Sequence, residues 1–217
     1  MTSSTRTRVK ICGITAPDDA LAAARAGADA IGLICYPPSP RYVDPARAAG
    51  ITSVVPPFVT RVAVFVNPTR TAVATVIEHA RIDMLQFHGD EEPGFCASFG
   101  LPYLKAVRVR PRLDLLEYLA PYQAAAGWLL DTFREDKYGG IGAAFDWALI
   151  PQGLARPIIL SGGLDVANVR DGIERIHPWA VDVSSGVEIE VDGVAAKGRK
   201  DHRKIERFVA EVRNAEI

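Results

Sequence analysis

The chain has 217 residues, 48% of them hydrophobic and 24% charged, enough to bury one large core. Its 25 lysines and arginines nearly balance 26 aspartates and glutamates, with no block of like charge, which excludes a dedicated nucleic-acid or membrane surface and means that any anion must be held locally. Met1 to Arg8 are polar, no run nears the roughly 18 apolar residues of a membrane span, and three cysteines without Cys-x-x-Cys spacing fit reduced thiols rather than disulfides or a metal site, so a cytoplasmic protein is expected.

In chain order, a polar extension of residues 1–8 leads into the apolar run Val9–Cys12, a strand that ends in a thiol with Gly13 behind it. Ala20, Leu21 and Ala24 then recur at helical spacing, and further strands are expected at Ala30–Ile34, Val62–Val66, Met84–Phe87 and Tyr103–Val107. The sixth strand, Trp128–Asp131, ends in a carboxylate, and Phe145 and Trp147 open the helix expected after it. Ile158–Ser161 follows, with Val166, Val169, Ile173 and Ile176 on one helical face. Ala180–Val183 is the eighth strand, with Ile205, Phe208, Val209 and Val212 on the last helix. Eight strand-and-helix units of roughly 27 residues fill the chain, close to the compact limit of about 200 residues for a (β/α)8 barrel. The expected fold is therefore α/β, a single TIM barrel over residues 9–217. The competing doubly wound sheet is disfavoured because no Gly-x-Gly-x-x-Gly follows the first strand.

Three connections exceed the usual short length. Cys35–Val43 is stiffened by Pro37, Pro38 and Pro40 and presents Arg41; Thr132–Ala144 carries Gly139, Gly140 and Gly142; the third runs from Ser184 to about Arg199. In a barrel all three share the rim that carries chemistry, and a glycine cluster suits a lid. Two glycine turns, Ser161-Gly162-Gly163-Leu164-Asp165 and Ser184-Ser185-Gly186, follow strands seven and eight, where barrels hold phosphate on backbone N–H groups. A small phosphorylated substrate is expected, with Asp165 as a helix N-cap.

A thiol ending one strand and a carboxylate ending another suggest a base and an acid facing one cavity. An ordinary aspartate is protonated about once in a thousand at pH 7, a cost of roughly 4 kcal/mol to its use as an acid. An ordinary thiol is only a few per cent ionised there, a penalty of about 2 kcal/mol to its use as a base. Lys10, two residues before Cys12 on the same strand face, either biases the thiol toward thiolate or pairs with a carboxylate in the barrel interior. His88, ending the fourth strand before Gly89, either lines the site or is a hydrogen-bonded structural histidine, the reading preferred here, and Cys35 and Cys96 read as small packing residues. No chemistry is assigned to His79, His177 or His202.

Lys-Ile-Cys-Gly-Ile-Thr (10–15), Ser-Pro-Arg (39–41), Gln-Phe-His-Gly (86–89), Leu-Asp-Thr (130–132), Gly-Gly-Ile-Gly-Ala-Ala-Phe-Asp-Trp (139–147), Leu-Ser-Gly-Gly-Leu (160–164) and Val-Asp-Val-Ser-Ser-Gly-Val-Glu (181–188) stand in this order. From Val9 to the final helix the set resembles the phosphoribosylanthranilate isomerases of tryptophan biosynthesis. The resemblance implies an Amadori rearrangement of N-(5-phosphoribosyl)anthranilate to 1-(2-carboxyphenylamino)-1-deoxyribulose 5-phosphate, with no cofactor and no metal. It makes Cys12 the general base at C2 of the ribose and Asp131 the general acid at the ring oxygen. Arg41 matches the partner of the anthranilate carboxylate. Gly162, Gly163, Ser185 and Gly186 match the phosphate cradle, with Ser184 beside it, and Asp182 matches a carboxylate near the sugar hydroxyls.

Two stretches depart from that pattern: Ile141 stands where a threonine is usual, and Ile189–Gly198 is longer than usual, with Lys197 in a proline's place. Other readings are a different sugar-phosphate barrel, such as the aminoaldose isomerase of histidine biosynthesis, a Schiff-base lyase using Lys10 or Lys105, and a catalytically inactive barrel kept as a binding partner. Cys12 argues against the first, where an aspartate is expected. A monomer or a homodimer is expected.

Overall fold

A computed structural model describes residues 6–132, 147–151, 153–191 and 194–215. Eight parallel strands pair in chain order and close on themselves: β1 Arg8–Cys12, β2 Ala30–Ile34, β3 Thr60–Phe65, β4 Met84–Phe87, β5 Tyr103–Val109, β6 Gly127–Thr132, β7 Ile158–Leu160 and β8 Ala180–Val183. Closure comes from β1 pairing with β8, Lys10 standing opposite Asp182. Around this barrel lie the helices α1 Pro17–Ala26, α2 Pro45–Ser53, α3 Arg70–His79, α4 Pro93–Cys96, α5 Leu115–Leu119, α6 Val169–Ile176 and α7 His202–Asn214. No described helix is long and apolar enough to cross a membrane.

The helices start where the sequence supplies a cap. Asp44, Thr69, Asp114 and Asp201 each accept from backbone N–H groups of the first turn of α2, α3, α5 and α7. α7 buries Ile205, Phe208, Val209 and Val212, the predicted stripe. α6 begins at Val169 rather than Val166, because Asp165 Oδ1 accepts from the amides of Ala167 and Asn168 and so closes a turn ahead of the helix. Asn168, not Asp165, is the N-cap.

Strand alternation separates two apolar regions. Outward residues such as Ile11, Ile31, Phe87, Trp128 and Leu130 pack under the helices, whereas Leu104, Ala106, Leu129, Ile159 and Ala180 form a small core inside the barrel. On β6, Leu129 and Asp131 therefore share the inner face. The connection expected from Ser184 to Arg199 is instead folded: a short 3-10 turn, Ser185–Val187, leads into an antiparallel pair, β9 Glu188–Val191 and β10 Val194–Lys200. The glycines at 139, 140 and 142, together with Ile141 and Phe145, lie outside the described residues; Trp147 opens a 3-10 turn, Trp147–Leu149.

Lys105, considered above as an amine for Schiff-base chemistry, is turned away from the barrel interior. Its Nζ donates to Glu91 Oε2 at 2.8 Å and to the Gly89 carbonyl at 2.7 Å, with the Tyr122 ring beside it. Glu91 also accepts from the amides of Asn67 and Gly89, so this buried pair pins the ends of β3 and β4. Removing one partner strands a buried charge. Lys105→Met is expected to lower unfolding free energy by about 3–5 kcal/mol in chemical denaturation, and Lys105→Met with Glu91→Gln to recover part of the loss. A single variant as stable as wild type would show that the pair does not hold this corner.

Candidate active site

The carboxyl ends of the strands open on a cavity of about 310 Å³. Cys12, from β1, and Asp131, from β6, both line it, and so do Arg41 and Asp182. Gly162, Gly163, Ser184 and Ser185 form another part of the wall. Gly186 does not line it. A Cβ on Gly186 would lie 2.1 Å from the Leu164 carbonyl oxygen, so this glycine lets the turn after β8 press against the turn after β7.

The turn after β7 is held from below. Asn168 donates to the Gly163 carbonyl at 2.8 Å and accepts from the Asp165 amide at 3.0 Å. Gly162 and Gly163 have φ of 84° and 68°, a conformation that suits glycine and leaves their amides without a backbone acceptor among the described residues. Lys200 steadies the second turn by donating to the Ser184 carbonyl at 2.9 Å. The arrangement offers an anion backbone N–H groups rather than a basic patch.

The two candidate proton-transfer groups sit in different surroundings. Cys12 is buried beside Lys10, and Lys10 Nζ donates to Asp182 Oδ1 at 2.8 Å. The pairing with an interior carboxylate is thus the reading of Lys10 that the geometry carries. Burial pushes the Cys12 thiol above the ordinary range; Lys10 pulls it down and Asp182 pushes it up, and the net direction is upward. Lys10 is itself raised: burial disfavours its charge, but Asp182 and Cys12 more than offset that. Asp182 keeps its second oxygen for Ser161 Oγ, 3.3 Å away.

Asp131 is bound to His88, the residue read from sequence as structural. His88 Nε2 lies 3.0 Å from Asp131 Oδ2, and Gln86 Nε2 lies 3.1 Å from His88 Nδ1. A Gln86 amide donating to Nδ1 leaves the ring proton on Nε2, from where it is donated to Asp131. Gln86, His88 and Asp131 all face the cavity. The signal was available: Gln86 and His88 are two residues apart at the end of one strand and so share its inner face.

Arg41 is already paired. Its Nε and Nη2 donate to Glu188 Oε1 and Oε2 at 2.6 and 2.8 Å, a bidentate fork with no exposure of the Glu188 side chain. Glu188 also accepts from the Gly198 amide at 2.8 Å and from Lys200 Nζ at 3.4 Å. Burial pushes the Glu188 carboxyl up, but these donors hold it below the usual carboxylate range. Lys200 is pulled down to about 8 by burial, against the attraction of Glu188. Sequence reasoning assigned no role to Glu188 or Lys200, since both chelate other protein groups rather than a ligand. Cys35 and Cys96 stand elsewhere, both thiols pushed up to about 12 by burial.

Comparison with known proteins gives one consistent result. The sequence pattern of N-(5'-phosphoribosyl)anthranilate isomerase matches residues 9–211. The N-(5'-phosphoribosyl)anthranilate isomerase of Nitrosospira multiformis is 55% identical over 202 residues, 93% of this chain and 94% of that protein. A crystal structure of a phosphoribosyl anthranilate isomerase in complex with reduced 1-(o-carboxyphenylamino)-1-deoxyribulose 5-phosphate superposes with a TM-score of 0.81 at 39% identity, covering 96% of this chain and 99% of that one. Monomers generated from the dimeric isomerase of Thermotoga maritima superpose with a TM-score of 0.81 at 37% identity, with the same coverage.

The thiol environment is open to direct measurement. Since only thiolate is alkylated, a raised Cys12 makes its iodoacetamide reaction slow at neutral pH and faster as pH climbs past the ordinary thiol range near about 8.5. Lys10→Met removes the lowering influence, so its profile moves to still higher pH. An unchanged profile in that variant would defeat the assignment of Lys10 as the group that favours thiolate.

Proposed function

The chain belongs to the N-(5'-phosphoribosyl)anthranilate isomerase family and catalyses the Amadori rearrangement of N-(5-phosphoribosyl)anthranilate to 1-(2-carboxyphenylamino)-1-deoxyribulose 5-phosphate in tryptophan biosynthesis, and on that premise we propose how its own residues divide the work. One observation carries the division: the thiol of β1, the carboxyl of β6 and both glycine turns reach the same cavity.

The amides of the two turns hold the phosphate and fix the sugar. Asp131, protonated, gives its proton to the ring oxygen as the C1–O bond breaks, and the aniline nitrogen's lone pair leaves a C1=N iminium. That cation acidifies the C2–H bond. The Cys12 thiolate takes the proton, and the released electron pair forms C1=C2 and neutralises the nitrogen. C1 is then reprotonated as the C2 hydroxyl gives up its proton, yielding the aminoketose with no external oxidant. His88 holds Asp131 Oδ2 and so orients the carboxyl in the cavity, and Asp182, anchored by Lys10, receives the sugar hydroxyls. Arg41 meets the aryl carboxylate with Nη1, the nitrogen that Glu188 does not use.

We take residues 9–217 as the catalytic unit, preceded by a polar stretch whose last residue, Arg8, already opens β1. The three free thiols suit the reducing cytoplasm. For the assembly we propose a homodimer. Phe58 is fully exposed at a φ of 68°, at the edge of a second cavity of about 330 Å³ at the opposite end of the barrel, lined also by Met84, Leu104, Ile159 and Trp179. Arg8, Lys10 and Asp29 also line this cavity, and an exposed ring beside a largely apolar hole on one face is what a two-fold interface needs, each ring entering its partner's cavity.

Turnover of freshly generated phosphoribosylanthranilate, followed by loss of anthranilate fluorescence, tests the roles: Cys12→Ser and Asp131→Asn are each expected to lower kcat by about 10²–10⁴. A variant close to wild type would remove its residue from the mechanism. Light scattering tests the assembly. Wild type is expected at twice the chain mass and Phe58→Ser at one chain mass; a monomeric wild type at micromolar concentration overturns the dimer.

A further inference from the structure

The long segment at 189–198 brings a residue to the catalytic cavity that neither the acid and base nor the phosphate turns require. Lys197, in β10, lines the cavity, as do Pro38, Pro40 and Arg41 of the connection after β2. The backbone one residue on is fixed from two sides: the Gly198 amide donates to Glu188 Oε1, and the Gly198 carbonyl accepts from Thr15 Oγ1. The strand register shifts between Ala195 and Lys200, so this part of β10 leaves the regular pairing with β9 as it reaches the rim.

The charge balance around it is uneven. Arg41 is matched by Glu188, and Lys10 by Asp182, while the Lys200 ammonium is turned to Glu188 and the Ser184 carbonyl. Lys197 is exposed and has no ion pair or hydrogen bond among the described residues. It is the lining cation without a counter-ion there. Its neighbours place it at the Arg41 end of the cavity: a Cβ built on the adjacent Gly198 would lie 3.6 Å from the Pro40 carbonyl oxygen.

We propose that Lys197 is a specificity-determining contact for the aryl carboxylate of the substrate, meeting it together with Arg41 Nη1. This rests on the reaction assigned above. Glu188 holds Arg41 Nε and Nη2 and also faces Lys200, so Arg41 has only Nη1 left to offer an incoming carboxylate, and Lys197 adds at the same end of the cavity a cation that no described residue already engages.

The test pairs a change in the protein with a change in the ligand. Titration calorimetry compares reduced 1-(o-carboxyphenylamino)-1-deoxyribulose 5-phosphate with the same molecule lacking the carboxyl group, on wild type, Lys197→Ala and Lys197→Arg. Lys197→Ala is expected to weaken the carboxylated ligand about three- to fivefold, the scale of a partly exposed ion pair, and to leave the other ligand unchanged; Lys197→Arg restores the loss. No loss in the alanine variant, or no rescue by arginine, overturns the proposal. Equal weakening of both ligands also overturns it and moves Lys197 to the phosphate. A wild type that binds both ligands but does not turn over the substrate overturns the assigned reaction and leaves the carboxylate contact standing.

Discussion

The barrel closes at the seam between β1 and β8, and the site depends on the register of that seam. Lys10 stands opposite Asp182, so the ammonium of one strand meets the carboxylate of the other inside the barrel. A slip of one residue would turn Lys10 and Cys12 outward among the apolar side chains under the helices and bury their charge unpaired. A buried ion pair contributes little net stability over a well-packed apolar pair, but half of one is strongly destabilising. The pair therefore favours one register over its neighbours. Cys12, two residues beyond Lys10, receives its position and its electrostatic surroundings from the same choice.

A second ionic centre does at the rim what the seam does inside. Glu188 gathers Arg41 from the connection after β2, and Gly198 and Lys200 from β10. Two segments, one of them 147 residues away, are held by one carboxylate whose four donors outweigh the cost of its burial. Because the fork uses two nitrogens along one edge of the guanidinium, Arg41 presents its remaining nitrogen in a fixed direction. An unpaired arginine would lose side-chain entropy on binding; this one has already lost it on folding.

The fold was legible because its signals are local. β-branched runs mark the eight strands, and i, i+3, i+4 spacing marks the long last helix, where Ile205, Phe208, Val209 and Val212 are all buried. The candidate site was legible as far as residue types at strand ends carry it, as with Cys12, Asp131 and the glycine turns. What escaped was relational. The fork between Arg41 and Glu188 spans 147 residues, and nothing in either neighbourhood announces the other. For His88 the sequence leaves a site-lining and a structural role open, since its partner Asp131 comes to it from two strands away. The antiparallel pair of β9 and β10 is hidden in the sequence because Val194-Ala195-Ala196 breaks the apolar–polar alternation that marks a strand.

The close approach of Gly186 to Leu164 joins the turn after β7 to the turn after β8 without any side chain between them. Two loops in such contact form a single unit of variation. A library that randomises 162–165 while keeping 184–186 fixed samples mostly backbones that collide with the neighbouring turn, and the reverse library fails in the same way. Adapting this barrel to a substrate with a different anionic tail would call for both turns to be exchanged together, as one cassette.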